Sequence, residues 1–226
     1  MKKSILFLTL ILIAVKFTSA HPDSTIVQKD TATIDRIVEI TTDFGVMKVK
    51  LYNATPQHRD NFIKLVQAGF YDSLLFHRVI KGFMIQGGDP LSKNAQPGVM
   101  LGNGDVGYTV PAEFVDSIFH KKGTLCAART ENPEKASSGC QFYIVQGQAY
   151  TPEQLNMMEM QRHIKLNDAQ KNIYMTLGGT PFLDHNYTVF GEVIEGLDVI
   201  DKIAAVQTAP GDRPVQDVRM YMKVVQ

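Results

Sequence analysis

From Ile37 onward the chain is dominated by short apolar runs and period-2 alternation rather than by long helical periods. Ile37-Val38-Glu39-Ile40-Thr41-Thr42 and Val46-Met47-Lys48-Val49-Lys50-Leu51 are strand-like, and Asp43-Phe44-Gly45 between them predicts a β-hairpin turn. Thr55-Pro56 then reads as a helix start, with Thr as N-cap and Pro at the first helical position. Phe62, Leu65, Val66 and Gly69 continue it at the i, i+3, i+4, i+7 spacing of a face laid on a core. Further strands are predicted at Leu75–Val79, Phe83–Gln86, Gly123–Ala128, Phe142–Val145, Val189–Val193 and Val218–Val224. In the last, Val218, Met220, Met222 and Val224 share one face. A short helix over Leu197–Ala204 completes the set. Many strands with only two core helices predict a mainly β fold, a closed antiparallel barrel rather than alternating βαβ units.

One stretch interrupts that pattern. Thr151-Pro152-Glu153-Gln154 has the form of a capping box and opens a polar, Met-rich helical segment. Asn167-Asp168 restarts it and Gly178-Gly179 ends it. Residues 150–177 are therefore expected to be a helical insertion on the surface of the main domain. Met157, Met158 and Met160 are expected to pack against that domain; the competing reading makes them an adhesive binding face.

The first residues follow a different logic. Lys2 and Lys3 precede an apolar run from Ile5 to Val15, followed by the small residues Thr18-Ser19-Ala20. That order predicts a secretory signal peptide over residues 1–20, since the run is short of the roughly 20 apolar residues a bilayer span needs. An uncleaved anchor is the competing reading. A polar linker over 21–36 and a folded domain over 37–226 complete the expected organisation. The protein is expected to be periplasmic or secreted, with no stable membrane insertion after signal removal.

Composition narrows the function classes. Lys+Arg and Asp+Glu are equal at 23 each, so no net field draws the chain to nucleic acid. The six histidines show no metal-ligand spacing, and Cys126 and Cys140 form no CxxC motif; no metal and no cofactor are expected. A bridge between those two cysteines stays open from sequence. Gly102-Asn103-Gly104-Asp105-Val106-Gly107 matches GxGxxG, but Tyr108-Thr109-Val110-Pro111 follows where a dinucleotide site needs a helix, so a glycine-rich surface loop is expected instead.

The informative segment is Phe76-His77-Arg78-Val79-Ile80-Lys81-Gly82-Phe83-Met84-Ile85-Gln86-Gly87-Gly88-Asp89-Pro90. Arg78 and Gln86 lie inside apolar strand patterns, where a long polar side chain must reach a partner or a ligand. Pairing of Arg78 with a buried carboxylate is the alternative that residue chemistry alone leaves open. The segment closely resembles the cyclophilin signature FHRxIxGFMxQGGD. Collinear blocks extend the resemblance: Gly107–Phe114, Leu125–Arg129, Ser137–Ile144 and Phe182–Gly191 each resemble a family motif in the family's order.

The resemblance implies an eight-stranded closed barrel capped by two helices, with a proline-binding groove on its outer face, and a peptidyl-prolyl cis/trans isomerase as its activity. Carried over by position, Arg78 and Gln86 would be catalytic, beside the rotating amide. Phe83, Met84, Tyr143 and Leu183 would hold the proline ring. Ala128, Arg129 and Gln141 would contact the peptide backbone, Arg129 chiefly through its main chain, and Phe182 and Tyr187 would complete the rim. The implied partners are proline-containing polypeptides, met by a monomer that assists the folding of exported proteins. Tyr143 stands where the family usually has Phe, which is expected to add a hydroxyl to the pocket. Phe182 replaces the Trp of many members, and weak cyclosporin binding follows from that. Two rival readings are a non-catalytic proline-peptide binding module or holdase, and an interaction protein working through its Met-rich insertion.

Overall fold

The alternation of apolar positions builds the hairpin where the sequence predicts it. Strands β1 (Arg36–Thr42) and β2 (Gly45–Leu51) pair in antiparallel register from Arg36–Leu51 to Thr42–Gly45. Val38, Ile40, Met47, Val49 and Leu51 are all completely buried. Full burial of such side chains stabilises by about 1.5–3 kcal/mol each relative to exposure. The computed structural model describes residues 35–226; the expected signal peptide and nearly all of the expected linker lie outside the described residues.

Helix α1 (Pro56–Gln67) buries His58, Phe62, Leu65 and Val66 against the sheet. Its start is as expected, with Pro56 in the first turn. Thr55 sits at the N-cap position but its side chain makes no cap bond. The Glu113 carboxylate instead accepts the backbone N–H groups of Gln57 and His58 at 3.1 and 3.0 Å, the favourable placement for an anion at a helix N-terminus. Burial would raise the Glu113 pKa, but the hydrogen bonds from His58 and Gln57 outweigh it and lower the value.

The remaining elements are β3 (Phe76–Ile80), β4 (Met84–Gly87), β5 (Thr109–Val110), β6 (Thr124–Ala127), β7 (Ser137–Ser138), β8 (Phe142–Val145), α2 (Pro152–Arg162), α3 (Asp168–Thr176), β9 (Val189–Glu195), α4 (Leu197–Ala204) and β10 (Tyr221–Val224). Eight strands form one antiparallel sheet in the order β10-β1-β2-β9-β6-β8-β4-β3, and β5 pairs with β7 separately. This is the expected mainly β, antiparallel architecture, with one correction. The sheet is open: no strand ladder joins β3 to β10, where a closed barrel was expected. The strand predicted over Val218–Val224 is regular only from Tyr221, because the stretch ahead of it bonds irregularly to residues 73–76, at the entry to β3. Ser73 N–H donates to Met220 O, Met220 N–H to Leu74 O, and Phe76 N–H to Val218 O, each at 2.9 Å.

Side chains alternate between the two faces of this sheet. Leu125, Phe142, Ile144, Ile85 and Val79 join the large interior core with α1 and α4. Cys126, Tyr143, Val145 and Met84, one residue out of phase, form a second apolar cluster with Val189 on the opposite face. Period-2 geometry accounts for the split. Covering both faces explains why β6 and β8 are buried along their whole lengths.

Helices α2 and α3 occupy the expected insertion. Both start with reciprocal capping boxes, Thr151 with Gln154 and Asn167 with Gln170. Leu155, Leu166 and Tyr174 form the buried contact cluster of this insertion. Met157 and Met160 do not join it: they are 58% and 77% exposed, against the expected packing role, while Met158 is half-buried. Leu155 occupies the inward face of α2 in their place. Among the described residues, no helix is long and apolar enough to cross a membrane.

Candidate active site

An extra residue in β3 decides which way Arg78 points. Phe76 pairs with Gly87 and Arg78 with Gln86, so His77 is inserted between two successive pairs. Simple alternation would send Arg78 to the same side as Phe76, into the core. The bulge resets the phase, so Phe76 and Val79 both face the interior while Arg78 turns to the outer face with Gln86. The close approach of chains beyond β4 requires glycine: a Cβ on Gly88, whose φ is +92°, would lie 2.3 Å from the Cys140 carbonyl oxygen.

Arg78 and Gln86 then belong to one polar chain. Arg78 Nη1 donates to Gln86 Oε1 at 3.4 Å, and Gln86 Nε2 donates to Gln141 Oε1 at 3.0 Å. Gln141 Nε2 donates in turn to the carbonyls of Gly102 and Gly104, at 2.9 and 2.7 Å. Asp89 holds the same loop by accepting from the Gly102 and Leu91 N–H groups. The glycine-rich segment is thus a pinned loop leading into β5, with no helix after it, as expected. Gln86 is held at both ends of its amide, which leaves it little freedom to turn.

The guanidinium also meets Asp212, Nε to Oδ2 at 3.4 Å, with the two side chains 43% and 45% exposed. This carboxylate is not the buried partner considered from sequence. A half-exposed pair is worth at most about 1 kcal/mol. It leaves Nη2 with no hydrogen-bond partner among the described residues.

Arg78 and Gln86 stand at the edge of a pocket of about 160 Å³, walled by Phe83, Met84, Ala128, Arg129, Tyr143, Leu183 and Tyr187. Nine of the eleven residues proposed from sequence therefore converge. The other two adjoin it: Gln141 through its bond to Gln86, and Phe182 by a ring contact with Phe83 at 5.7 Å between centroids. A second cavity of about 550 Å³ shares Gln86, Ala128 and Arg129 with the pocket and runs under the glycine-rich loop. Arg129 directs its side chain elsewhere, donating from Nε to Asn186 O at 2.9 Å and lying 4.7 Å over the Tyr187 ring.

Sequence reasoning missed what stands behind Tyr143. Its hydroxyl lies 3.0 Å from His120 Nε2, and His120 Nδ1 lies 2.8 Å from Asp184 Oδ1. Asp184 also accepts the His120 backbone N–H at 2.9 Å and the Tyr174 hydroxyl at 2.7 Å. All four residues are buried. With Nδ1–H donating to the carboxylate, Nε2 is the acceptor for the Tyr143 hydroxyl. Burial raises the Tyr143 pKa far above the usual phenol value, so the hydroxyl stays a donor. The extra oxygen of Tyr143 is engaged behind the pocket wall, whereas the sequence predicts it in the pocket.

The cysteines are both buried and free. They belong to different apolar clusters, Cys126 on the pocket side and Cys140 in the interior core. Burial raises both thiols, Cys140 to about 11, which suits packing and not nucleophilic work. Among the described residues no group of three or more His, Cys, Asp or Glu is arranged to hold a metal ion.

Residues 37–224 match the family model described as cyclophilin type peptidyl-prolyl cis-trans isomerase/CLD. A putative peptidyl-prolyl cis-trans isomerase of Staphylococcus aureus is 36% identical over 182 residues, covering 80% of this chain and 87% of the relative. A putative bifunctional phosphatase/peptidyl-prolyl cis-trans isomerase of Streptococcus pyogenes is 35% identical over 186 residues, which is 80% of this chain and 37% of that longer protein. Among solved structures, a cyclophilin type peptidyl-prolyl cis-trans isomerase of Cryptosporidium parvum superposes with a TM-score of 0.62 at 21% identity, covering 85% of this chain and 98% of the other. The same protein crystallised in the presence of the dipeptide Ala-Pro superposes at 0.60, again at 21% identity, covering 84% and 99%.

Proposed function

The chain belongs to the cyclophilin-type peptidyl-prolyl cis-trans isomerase family, and on that premise we propose that it turns over X-Pro bonds with Arg78 as its principal catalytic residue and Gln86 as its partner. The observation that carries this assignment is the bulge at His77, which sets Arg78 opposite Gln86 at the rim of an apolar pocket.

Rotation about an X-Pro bond takes tens of seconds unaided because amide resonance must be broken, a barrier of about 20 kcal/mol. Reaching about 10³ turnovers per second requires lowering it by roughly 7 kcal/mol. No covalent bond changes partners, so neither nucleophile nor metal is required. In the twisted transition state a lone pair localises on the proline nitrogen. The Arg78 guanidinium donates to that lone pair, an interaction that neither planar ground state offers. The polar chain through Gln86 and Gln141 holds the guanidinium at that spot and limits its reorganisation during the reaction. Phe83, Met84, Tyr143 and Leu183 grip the proline ring while the preceding carbonyl swings. Ala128, Arg129 and Gln141 bind the backbone, and Phe182 and Tyr187 close the rim. The Ala-Pro dipeptide present with the Cryptosporidium parvum neighbour supports proline-containing polypeptides as the substrate class here.

The clients are exported polypeptides, met in the periplasm or outside the cell; the Lys2-Lys3 pair, the apolar run and the small residues through Ala20 support this. A mature N-terminus beginning downstream of the apolar run is the expected result of sequencing the exported protein. Retention of Met1 in an exported form would oppose it. Isomerase activity is tested by NMR exchange or a protease-coupled assay on an Ala-Pro peptide with the full chain. Exchange well above the spontaneous rate is expected. Binding without acceleration would favour the non-catalytic module.

A further inference from the structure

The insertion carries an outward stripe that continues the proposed substrate groove. On α2, Gln154, Met157, Met158 and Gln161 recur at i, i+3, i+4 and i+7, the spacing of a single helix face. In a packed helix that face would meet the core, but here the inward position is taken by Leu155, which is fully buried. The stripe instead faces a cleft of about 260 Å³ whose other walls include Phe182 and Tyr150. Phe182 joins this cleft to the proposed proline pocket, because its ring also contacts Phe83. Phe83, Phe182 and the Met157–Met158 pair thus form one apolar track leading from the pocket onto the insertion.

We infer that this track is a secondary subsite for the polypeptide substrate, taking an apolar side chain that flanks the isomerised proline. The inference rests on the proposed proline site and extends it. An extended chain advances about 3.3–3.6 Å per residue, so a side chain about two or three positions from the proline passes Phe182 and reaches the methionines. Thioether side chains are unbranched and polarisable, which suits a surface that must accept apolar groups of varied shape. Met157 is 58% exposed, so an arriving side chain has contact area to gain.

The test compares the full chain with its Met157→Ser/Met158→Ser double variant on three proline peptides. One is a blocked tetrapeptide; the other two are longer and carry either Leu or Ser at the second and third positions on each side of the proline. The wild type is expected to favour the Leu peptide over the Ser peptide by roughly three- to tenfold in kcat/KM, and the variant to lose that preference. Turnover of the tetrapeptide by the variant reports that it is folded. Equal kcat/KM for the two long peptides in the wild type, or a preference that survives in the variant, would overturn the subsite and leave the isomerase reading standing. Failure of the wild type to accelerate any of the three would overturn both. Dimerisation in sedimentation that the double substitution abolishes would assign the stripe to a second copy of the chain and overturn the inference.

Discussion

Tyr143 lines the pocket beside Arg78 and Gln86 on one side and reaches His120 on the other, with its hydroxyl 3.0 Å from Nε2. Through Asp184 the contact continues to Tyr174 on α3, so the pocket wall and the insertion share one buried polar chain. Removing the middle of that chain should cost far more than trimming its end. Asp184→Ala strands three donors and is expected to destabilise by about 3 kcal/mol, whereas Tyr143→Phe loses one hydrogen bond, about 1 kcal/mol. For a domain of this size the first corresponds to a drop in Tm of roughly 6–12 °C. Thermal unfolding of the two variants checks the order; equal losses would show that the chain is not a single support.

The ion pair between Arg78 and Asp212 is expected to matter little. Both partners are nearly half exposed, so Asp212→Asn should change stability by less than about 1 kcal/mol. If the links to Gln86 and Gln141 position the guanidinium, kcat/KM on a short proline peptide should stay within about threefold. A loss comparable to that of removing Arg78 itself would make Asp212 the principal positioning group.

Stability should fall with acid in a window set by His77. This buried histidine at the bulge has its pKa pushed down to about 4, chiefly by desolvation, with attraction to Asp89 opposing. Its folded-state pKa lies below the unfolded value of about 6.5, so the unfolded chain binds more protons between the two. The stabilising contribution is complete above about pH 6.5 and is lost as pH falls toward 4. From pH 6.5 to 4.5 that is about 2–3 kcal/mol. His58, lowered by burial despite its bond to Glu113, adds to the same trend. Denaturant unfolding at the two pH values should show a smaller loss in His77→Gln than in the wild type. An unchanged pH dependence would mean that His77 is solvated in the folded protein.

Arg78 and Gln86 were legible in the sequence because long polar side chains are conspicuous inside apolar strand runs, and neighbouring motifs identified the family. Strand positions followed from alternation in β1 and β2, and in β6 and β8 from short unbroken apolar runs, because both of their faces are covered. The His77 bulge left no such trace: one inserted residue shifts the phase of a five-residue strand without altering its composition. The Tyr143–His120–Asp184–Tyr174 chain was illegible for a different reason. Its links join residues 23, 64 and 10 positions apart, and only tertiary folding brings them together. Thr55 holds the N-cap position read from the sequence, but the acceptor of the first helical N–H groups, Glu113, lies 55 positions from His58 and left no local signal. Met157 misled because apolar residues at helical spacing usually mark a core, and here Leu155 on the opposite side fills that role.

The most direct measurement is kcat/KM of Arg78→Ala on an Ala-Pro peptide, alongside wild type and Arg78→Lys, with folding verified by circular dichroism. Loss of a donor aimed at charge formed only in the transition state predicts a fall of about 10²–10³-fold in the Ala variant. Lys, lacking the planar fork, should restore little of it. A folded Arg78→Ala protein that keeps activity within a few-fold of wild type would contradict the account.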